Sequence, residues 1–301
     1  RCSMKEYSFE DYKELVEEHL MDFIPEVDHK SITLYESMKY SLTAGGKRIR
    51  PVLLLAACDF CGGNVEEALP YACAIEYIHT YSLIHDDLPC MDDDDLRRGI
   101  PTNHKVYGEA MAVLAGDGLQ SAAFEAMNRD MILYFDNADA LKKRIKASYE
   151  ISRGSGCRGI VAGQVADMEA MDKSSSKEML DYIHLSKTAA LIVAAVRAGA
   201  YLGNPDSETL DNLTIFAESL GLAFQIRDDI LDVEGSEEEM GKKAGMDCKN
   251  KKATYPALHG IDESRRRLQE LTDTATDALK QYYDNAEVFT KLANQLAVRG
   301  Y

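Results

Sequence analysis

The sequence predicts an all-α protein, and three observations carry that prediction. Apolar residues recur at helical spacing in segment after segment, and no alternating stretch is long enough to propose a sheet. No Gly-, Pro- or Ser-rich linker divides the 301 residues. A single domain over residues 1–301 is therefore expected, with residues 1–7 outside its packed part and Met4 as a candidate start behind Arg1-Cys2-Ser3.

In chain order, Ser8 introduces an amphipathic helix whose stripe is Tyr12, Leu15, Val16, Leu20 and Phe23, and Pro25 stops it. A second helix runs from about Ser31 to Leu42. Residues Ala44 to Arg50, with Gly45, Gly46, Lys47 and Arg48, form a glycine-hinged basic loop; Pro51 suits the first position of a helix from Val52 to Cys58. Gly62-Gly63 ends that helix. The next begins near Pro70 and passes through Ile75, Ile78 and Ser82 to Asp86 and Asp87, so an apolar helix finishes in carboxylates. Further helices are expected over Tyr107–Met127, Ala138–Met171, Lys177–Leu202, Ser207–Val233, Glu263–Tyr283 and Ala286–Arg299.

Composition narrows the function. Fifty-one acidic residues against 34 basic give a net charge of −17, which argues against nucleic acid or an anionic membrane as partner. Anionic substrates would need local positive charge, from placed Lys and Arg or from cations on clustered carboxylates. Apolar runs such as Ala189–Val196 fall short of the roughly 20 residues that span a bilayer, so no membrane helix is expected. The seven scattered cysteines fit reduced, cytoplasmic usage. Cys58 and Cys61 read as helix-end residues rather than a redox or zinc pair, because no second pair and no preceding strand accompany them.

The strongest signal is His85–Gly99, HDDLPCMDDDDLRRG, with six Asp and two Arg in fifteen positions. Such a cluster repels itself, yet it is attached to a helix that belongs in the core. Asp86, Asp87 and, after a short Leu88-Pro89 turn, Asp92 can offer oxygens to hard cations, and oxygen-only donors suit Mg²⁺. A second cluster lies inside a helix: Gln225, Asp228, Asp229 and Asp232 share one face, flanked by Phe224, Ile226, Ile230 and Leu231. Two such clusters can hold metal ions between them. Lys47 and Arg50 in the glycine loop, Arg97 and Arg98 after the first cluster, and Lys187, Lys242 and Lys252 around the second would satisfy the oxygens of a bound diphosphate.

With GGKRIRP, the two Asp motifs, Gly163-Gln164, Lys187-Thr188 and GKKAGMDCKNKKATYP in one order, the chain from about residue 30 resembles the trans-isoprenyl diphosphate synthase family, close to its bacterial-type short-chain members. The resemblance implies a bundle of helices around a deep central cavity, usually as a homodimer. It implies two Mg²⁺ on Asp86 and Asp92, with Asp87 beside them, and a third on Asp228, with Asp232 a further candidate ligand. The allylic diphosphate would meet Arg97, Lys187, Gln225 and Lys242, with Thr188 next to them; isopentenyl diphosphate would meet Lys47, Arg50, His79 and Arg98. Gln164, Asp229 and Lys252 complete the expected site. Charge on the departing diphosphate would be met in advance, an allylic cation would form between water-excluding walls, and the isopentenyl π-bond would attack it.

Product length is expected to depend on the helix before Asp86. A residue four or five positions earlier lies roughly 6 to 7.5 Å deeper along the axis. Ser82 is small; Tyr81 is the first bulky side chain able to lean across the path, and in the family an aromatic at that position goes with a fifteen-carbon product. Geranylgeranyl diphosphate synthase is the rival within the class, and a catalytically silent regulatory subunit is the rival outside it. A terpene cyclase would not need the basic loop, and a Ca²⁺-binding protein would need an EF-hand loop, which is not visible.

Overall fold

The computed structural model describes residues 7–170, 176–234, 254–282 and 285–298, and nearly every element in it is helical. Helix α1 is Phe9–His19, capped by Ser8 in a reciprocal box with Asp11. It stops before Pro25: residues 20–24 turn back through bonds from Asp22 N to His19 O and Ile24 N to Met21 O, while Leu20 and Ile24 remain buried. A 3₁₀ turn, His29–Ser31, leads into α2, Ile32–Leu42.

Helix α3 is Ile49–Phe60, three residues longer at its start than expected. Pro51 is its third residue, still within the first turn where amide hydrogens have no intrahelical acceptor. Helix α4, Val65–Asp86, begins five residues before Pro70 because Asn64 caps it, accepting from Glu66 N and Glu67 N. It is apolar all round, with most of its residues buried, as befits a central helix. It packs against α3 and against α6, Glu109–Leu133.

Two stretches differ from the periodicity reading. Between α4 and α6 a two-residue hairpin, β1 (Leu96–Arg97) on β2 (Ile100–Pro101), and the short α5, Asn103–Tyr107, intervene. Gly108, at φ +85°, separates α5 from α6, which matches the helix expected over Tyr107–Met127 and runs on to Leu133. The segment expected as one helix over Ala138–Met171 is two, α7, Ala138–Ser155, and α8, Ile160–Ala170. The chain reverses there so tightly that a Cβ on Gly159 would lie 1.9 Å from Gly154 O.

Helix α9 (Lys177–Ile183), a π-turn (His184–Ala189) and α10 (Ala190–Leu202) run on as one rod. By length and composition alone this rod could cross a membrane, with mean hydropathy 1.4 over its most apolar window; 61% of that window is buried inside the protein. Helix α11, Ser207–Glu234, packs on α10 and on α13, Ile261–Ala278. The short α12 is Tyr255–His259, a 3₁₀ turn Lys280–Tyr282 follows α13, and α14 is Glu287–Val298. One core cluster runs from Tyr12 to Ala293; a second joins Leu180, Ile226, Tyr255 and Leu271 beneath the acidic end of α11.

Candidate active site

Helix α4 delivers the first acidic motif. Asp86 is its last residue and Asp87 its C-cap, at the end where the helix dipole is negative and where unneutralised carboxylates are disfavoured. The chain then folds back: Asp92 N donates to Asp86 O at 2.9 Å and Asp94 N to Asp87 O at 3.2 Å, which brings Asp92 beside Asp86. Asp87 is buried and its two oxygens accept from Arg97 at 2.6 to 3.0 Å. Burial pushes the Asp87 carboxyl up to about 6, against the pull of Arg97. Burial tends to lower Arg97, yet the bond to Asp87 holds that guanidinium charged. The bidentate geometry favours an ionised pair at neutral pH.

Arg97 and Arg98 take opposite routes because Arg98 (φ +53°) and Gly99 (φ +78°) form the hairpin turn, both with the positive φ that such tight turns require. Arg98 donates to Gly45 O in the basic loop. Gly46, at φ +140°, makes room for it: a Cβ there would meet the Arg98 guanidinium at 2.8 Å. In the same loop Arg50 approaches His79 Nε2 at 3.4 Å, and Lys47 Nζ lies 5.8 Å from the Phe224 ring on α11. Burial, then the charges of Arg50 and Arg98, hold His79 well below its usual pKa, so it is a neutral imidazole that can accept from Arg50. Arg50 is itself lowered by burial, opposed by Glu76 and then by Asp228, so the second motif acts on the basic loop.

Two elements close the gap between the motifs. On α8, Gln164 Nε2 donates to Asp86 Oδ1 at 2.6 Å, and Gly163 lets the π-turn come close, since a Cβ there would be 2.4 Å from Lys187 N. Lys187 Nζ bonds Asp167 at 2.6 Å and stands 3.6 Å from Asp86. Its neighbour Thr188 donates to Gln225 Oε1 at 2.5 Å. Gln225 Nε2 in turn donates to Asp229 at 2.9 Å. The π-turn, a feature that often marks functional sites, thus links both acidic motifs through adjacent residues.

Asp229 is buried and accepts from Tyr255 N at 2.8 Å, with His184 Nε2 at 3.4 Å, so it fastens α12 to α11. Asp228 is exposed and Asp232 is buried one turn on. Lys242 and Lys252 lie outside the described residues. Among the described residues no three acidic, His or Cys side chains gather into a ready cation cage. Gln164 and Lys187 both draw on Asp86. The donor set at Asp86, Asp92, Asp228 and Asp232 is entirely carboxylate oxygen, which fits a hard divalent cation.

Below the polar groups is a cavity of about 470 Å³. Arg50, Asp86, Gln164, Lys187 and Thr188 line its polar side; Tyr81, Met91, Ile160, Val165 and Met168 line the apolar side. Tyr81 and Ser82 are both on its wall. Sequence reasoning missed Asp167, Arg48 and Glu76. Asp167 could have been found as the residue one helical turn after Gln164.

A long helical bundle with two acidic motifs, the first reaching an apolar cavity through Asp86, is matched by one family profile, polyprenyl synthetase, over residues 31–290. The chain belongs to the polyprenyl synthetase family. Among curated relatives of this polyprenyl synthetase, farnesyl diphosphate synthase of Bacillus subtilis (strain 168) is 47% identical over 86% of each chain. The chloroplastic geranylgeranyl pyrophosphate synthase of Capsicum annuum is 48% identical over 88% of this chain and 71% of that protein. A solved FPP/GFPP synthase from Zymomonas mobilis, 34% identical, superposes with a TM-score of 0.84 over 96% of this chain and 97% of that one. A geranyltransferase from Legionella pneumophila, 31% identical, gives 0.85 over 97% and 96%. The protein is a trans-prenyltransferase with the helical isoprenoid synthase fold.

Proposed function

We propose that this polyprenyl synthetase condenses isopentenyl diphosphate with dimethylallyl or geranyl diphosphate, head to tail, to give farnesyl diphosphate and free diphosphate. The observation that carries the reading is the junction of Asp86, Gln164, Lys187 and Thr188 over an apolar cavity walled by Tyr81. Asp86 and Asp92 would hold two Mg²⁺ ions, and Asp228 with Asp232 a third. Bound there, the metal would offset the charge that grows on the departing diphosphate.

The protein's own groups do the rest. Lys187, Arg97 and Lys242 receive the allylic diphosphate, with Gln225 and Thr188 at its edge; Gln164 orients Asp86, Asp87 orients Arg97 and Asp229 anchors the end of α11. Lys47, Arg50, Arg98 and neutral His79 receive isopentenyl diphosphate, and Lys252, outside the described residues, is a further candidate cation for the substrates. The apolar wall of Ile160, Val165 and Met168 keeps water from the allylic cation. Because the chain is as similar to geranylgeranyl as to farnesyl synthases, the twenty-carbon product is the rival; Tyr81 on the cavity wall favours fifteen.

Two copies would pair through exposed apolar side chains such as Leu114 on α6 and Ile145 and Tyr149 on α7, a proposal that light scattering tests. The five cysteines described, among them Cys58 and Cys61, are unbridged, which supports a cytoplasmic setting. Asp86→Ala and Asp228→Ala should each lower turnover by roughly a thousandfold with the helical circular dichroism intact. EDTA should abolish activity and Mg²⁺ restore it. Near-normal turnover in either variant would overturn the two-motif reading.

A further inference from the structure

Three cations fall within four residues at Lys47, Arg48 and Arg50; Arg50 lines the cavity, and Lys47 Nζ lies 5.8 Å from the Phe224 ring. Arg48 turns the other way. Its side chain is 0% exposed, and it donates to Glu17 Oε1 at 2.7 Å, to Glu76 Oε1 at 2.7 Å and to the carbonyl of Leu42 at 2.6 Å. It does so from the left-handed backbone region, at φ +52°, as the N-cap of α3. That conformation is unfavourable for a residue with a Cβ, and the contacts must offset its cost.

Glu76 is 1% exposed on α4, one turn before His79 and on the same face. One turn of α4 therefore receives two side chains of the basic loop: Glu76 takes Arg48, and His79 meets Arg50 at 3.4 Å. Glu76 is also the strongest charge opposing the burial that lowers Arg50 and Arg98. The rest of the loop turns on Gly45 and Gly46, both at positive φ, and Gly45 O accepts from Arg98.

We propose that the buried Arg48–Glu76 ion pair is a positioning device that docks the basic loop on α4, so that Lys47, Arg50, Arg98 and His79 converge on one diphosphate, that of the homoallylic substrate. Neither member touches that substrate. Arg48 is held by four oxygens, two of Glu17, one of Glu76 and the carbonyl of Leu42, in a fork that Lys cannot reproduce. Loss of the pair frees the loop to swing on its glycines, and the anion then meets its cations one at a time instead of together.

This inference rests on the assignment of Lys47, Arg50, His79 and Arg98 to isopentenyl diphosphate. The test is steady-state kinetics, varying one substrate at a time, on Arg48→Lys, on the charge-balanced double variant Arg48→Met/Glu76→Gln and on Lys47→Ala as reference. Thermal unfolding of each protein accompanies the kinetics. The double variant removes both charges of the pair together but also takes from Arg50 and Arg98 the Glu76 charge that opposes their burial; Arg48→Lys leaves Glu76 in place and keeps the charge but loses the fork.

In both Arg48 variants KM for isopentenyl diphosphate should rise about tenfold or more, while KM for the allylic diphosphate and kcat at saturation stay within about twofold. Lys47→Ala should show the same selectivity. An unchanged KM for isopentenyl diphosphate in a folded Arg48→Lys protein, with Lys47→Ala still selective, overturns the positioning role alone. Equal rises for both substrates also overturn it, because they mark general loosening. If Lys47→Ala does not raise KM for isopentenyl diphosphate, the site assignment falls and the inference falls with it.

Discussion

The Lys187 ammonium is bonded to Asp167 at 2.6 Å and stands 3.6 Å from Asp86. Asp167 therefore restrains a cation that would otherwise close on the proposed metal-binding carboxylate. The lysine stays poised between the acidic motif and the cavity it lines. Asp167→Asn should let Lys187 settle on Asp86 and compete there with the metal. The expected result is a turnover lower by about a hundredfold and a several-fold higher Mg²⁺ requirement, since a displacement near 1 Å is enough for such a loss. Initial rates across a Mg²⁺ series check this; an unchanged Mg²⁺ dependence would count against it.

His79 gives a pH signature. Burial and the neighbouring Arg50 and Arg98 hold its folded pKa well below 6.5. Below that value the unfolded chain takes up a proton that the folded imidazole refuses. The His79 contribution therefore lowers stability as pH falls and vanishes above the unfolded pKa. Thermal unfolding of wild type and His79→Gln between about pH 5 and about pH 8 should show a shallower acid loss in the variant. Parallel curves would mean that His79 titrates normally.

Product length should respond to Gly116, which does not line the cavity. His85 meets Tyr81 edge-on at 5.6 Å and is hydrogen-bonded through Nε2 to Val113 O at 3.0 Å. It fits because Gly116 has no side chain: a Cβ there would be 2.1 Å from Nε2. Gly116→Ala should push His85 onto Tyr81, at a cost of about 1–3 kcal/mol in stability, and shift products toward ten carbons. Tyr81→Ala should lengthen them. Chromatography of dephosphorylated products reads both; an unchanged distribution in either folded variant would place the floor elsewhere.

The sequence made the motifs legible because they break a pattern: Asp86 and Asp87 end an apolar helix, and Asp228, Asp229 and Asp232 interrupt another. Partnerships were less legible. Asp87 and Asp229 look like their neighbours Asp86 and Asp228, yet Arg97 engages one and Tyr255 N the other, and such contacts arise between segments far apart in the chain. Arg48 looks like a third loop cation, because nothing local announces a positive φ at a residue with a side chain. The helix break after Ser155 was hidden for a different reason: apolar residues on both sides keep helical spacing, so periodicity runs on where the backbone does not.

The central claim is that this polyprenyl synthetase builds chains to fifteen carbons and stops. Purified protein with Mg²⁺ and isopentenyl diphosphate should be given dimethylallyl, geranyl or farnesyl diphosphate in turn, and the dephosphorylated products separated by chromatography. The account predicts farnesol as the main alcohol from the first two primers and little extension of the third. A product that is mostly geranylgeraniol, or no consumption of isopentenyl diphosphate with any primer, would contradict it.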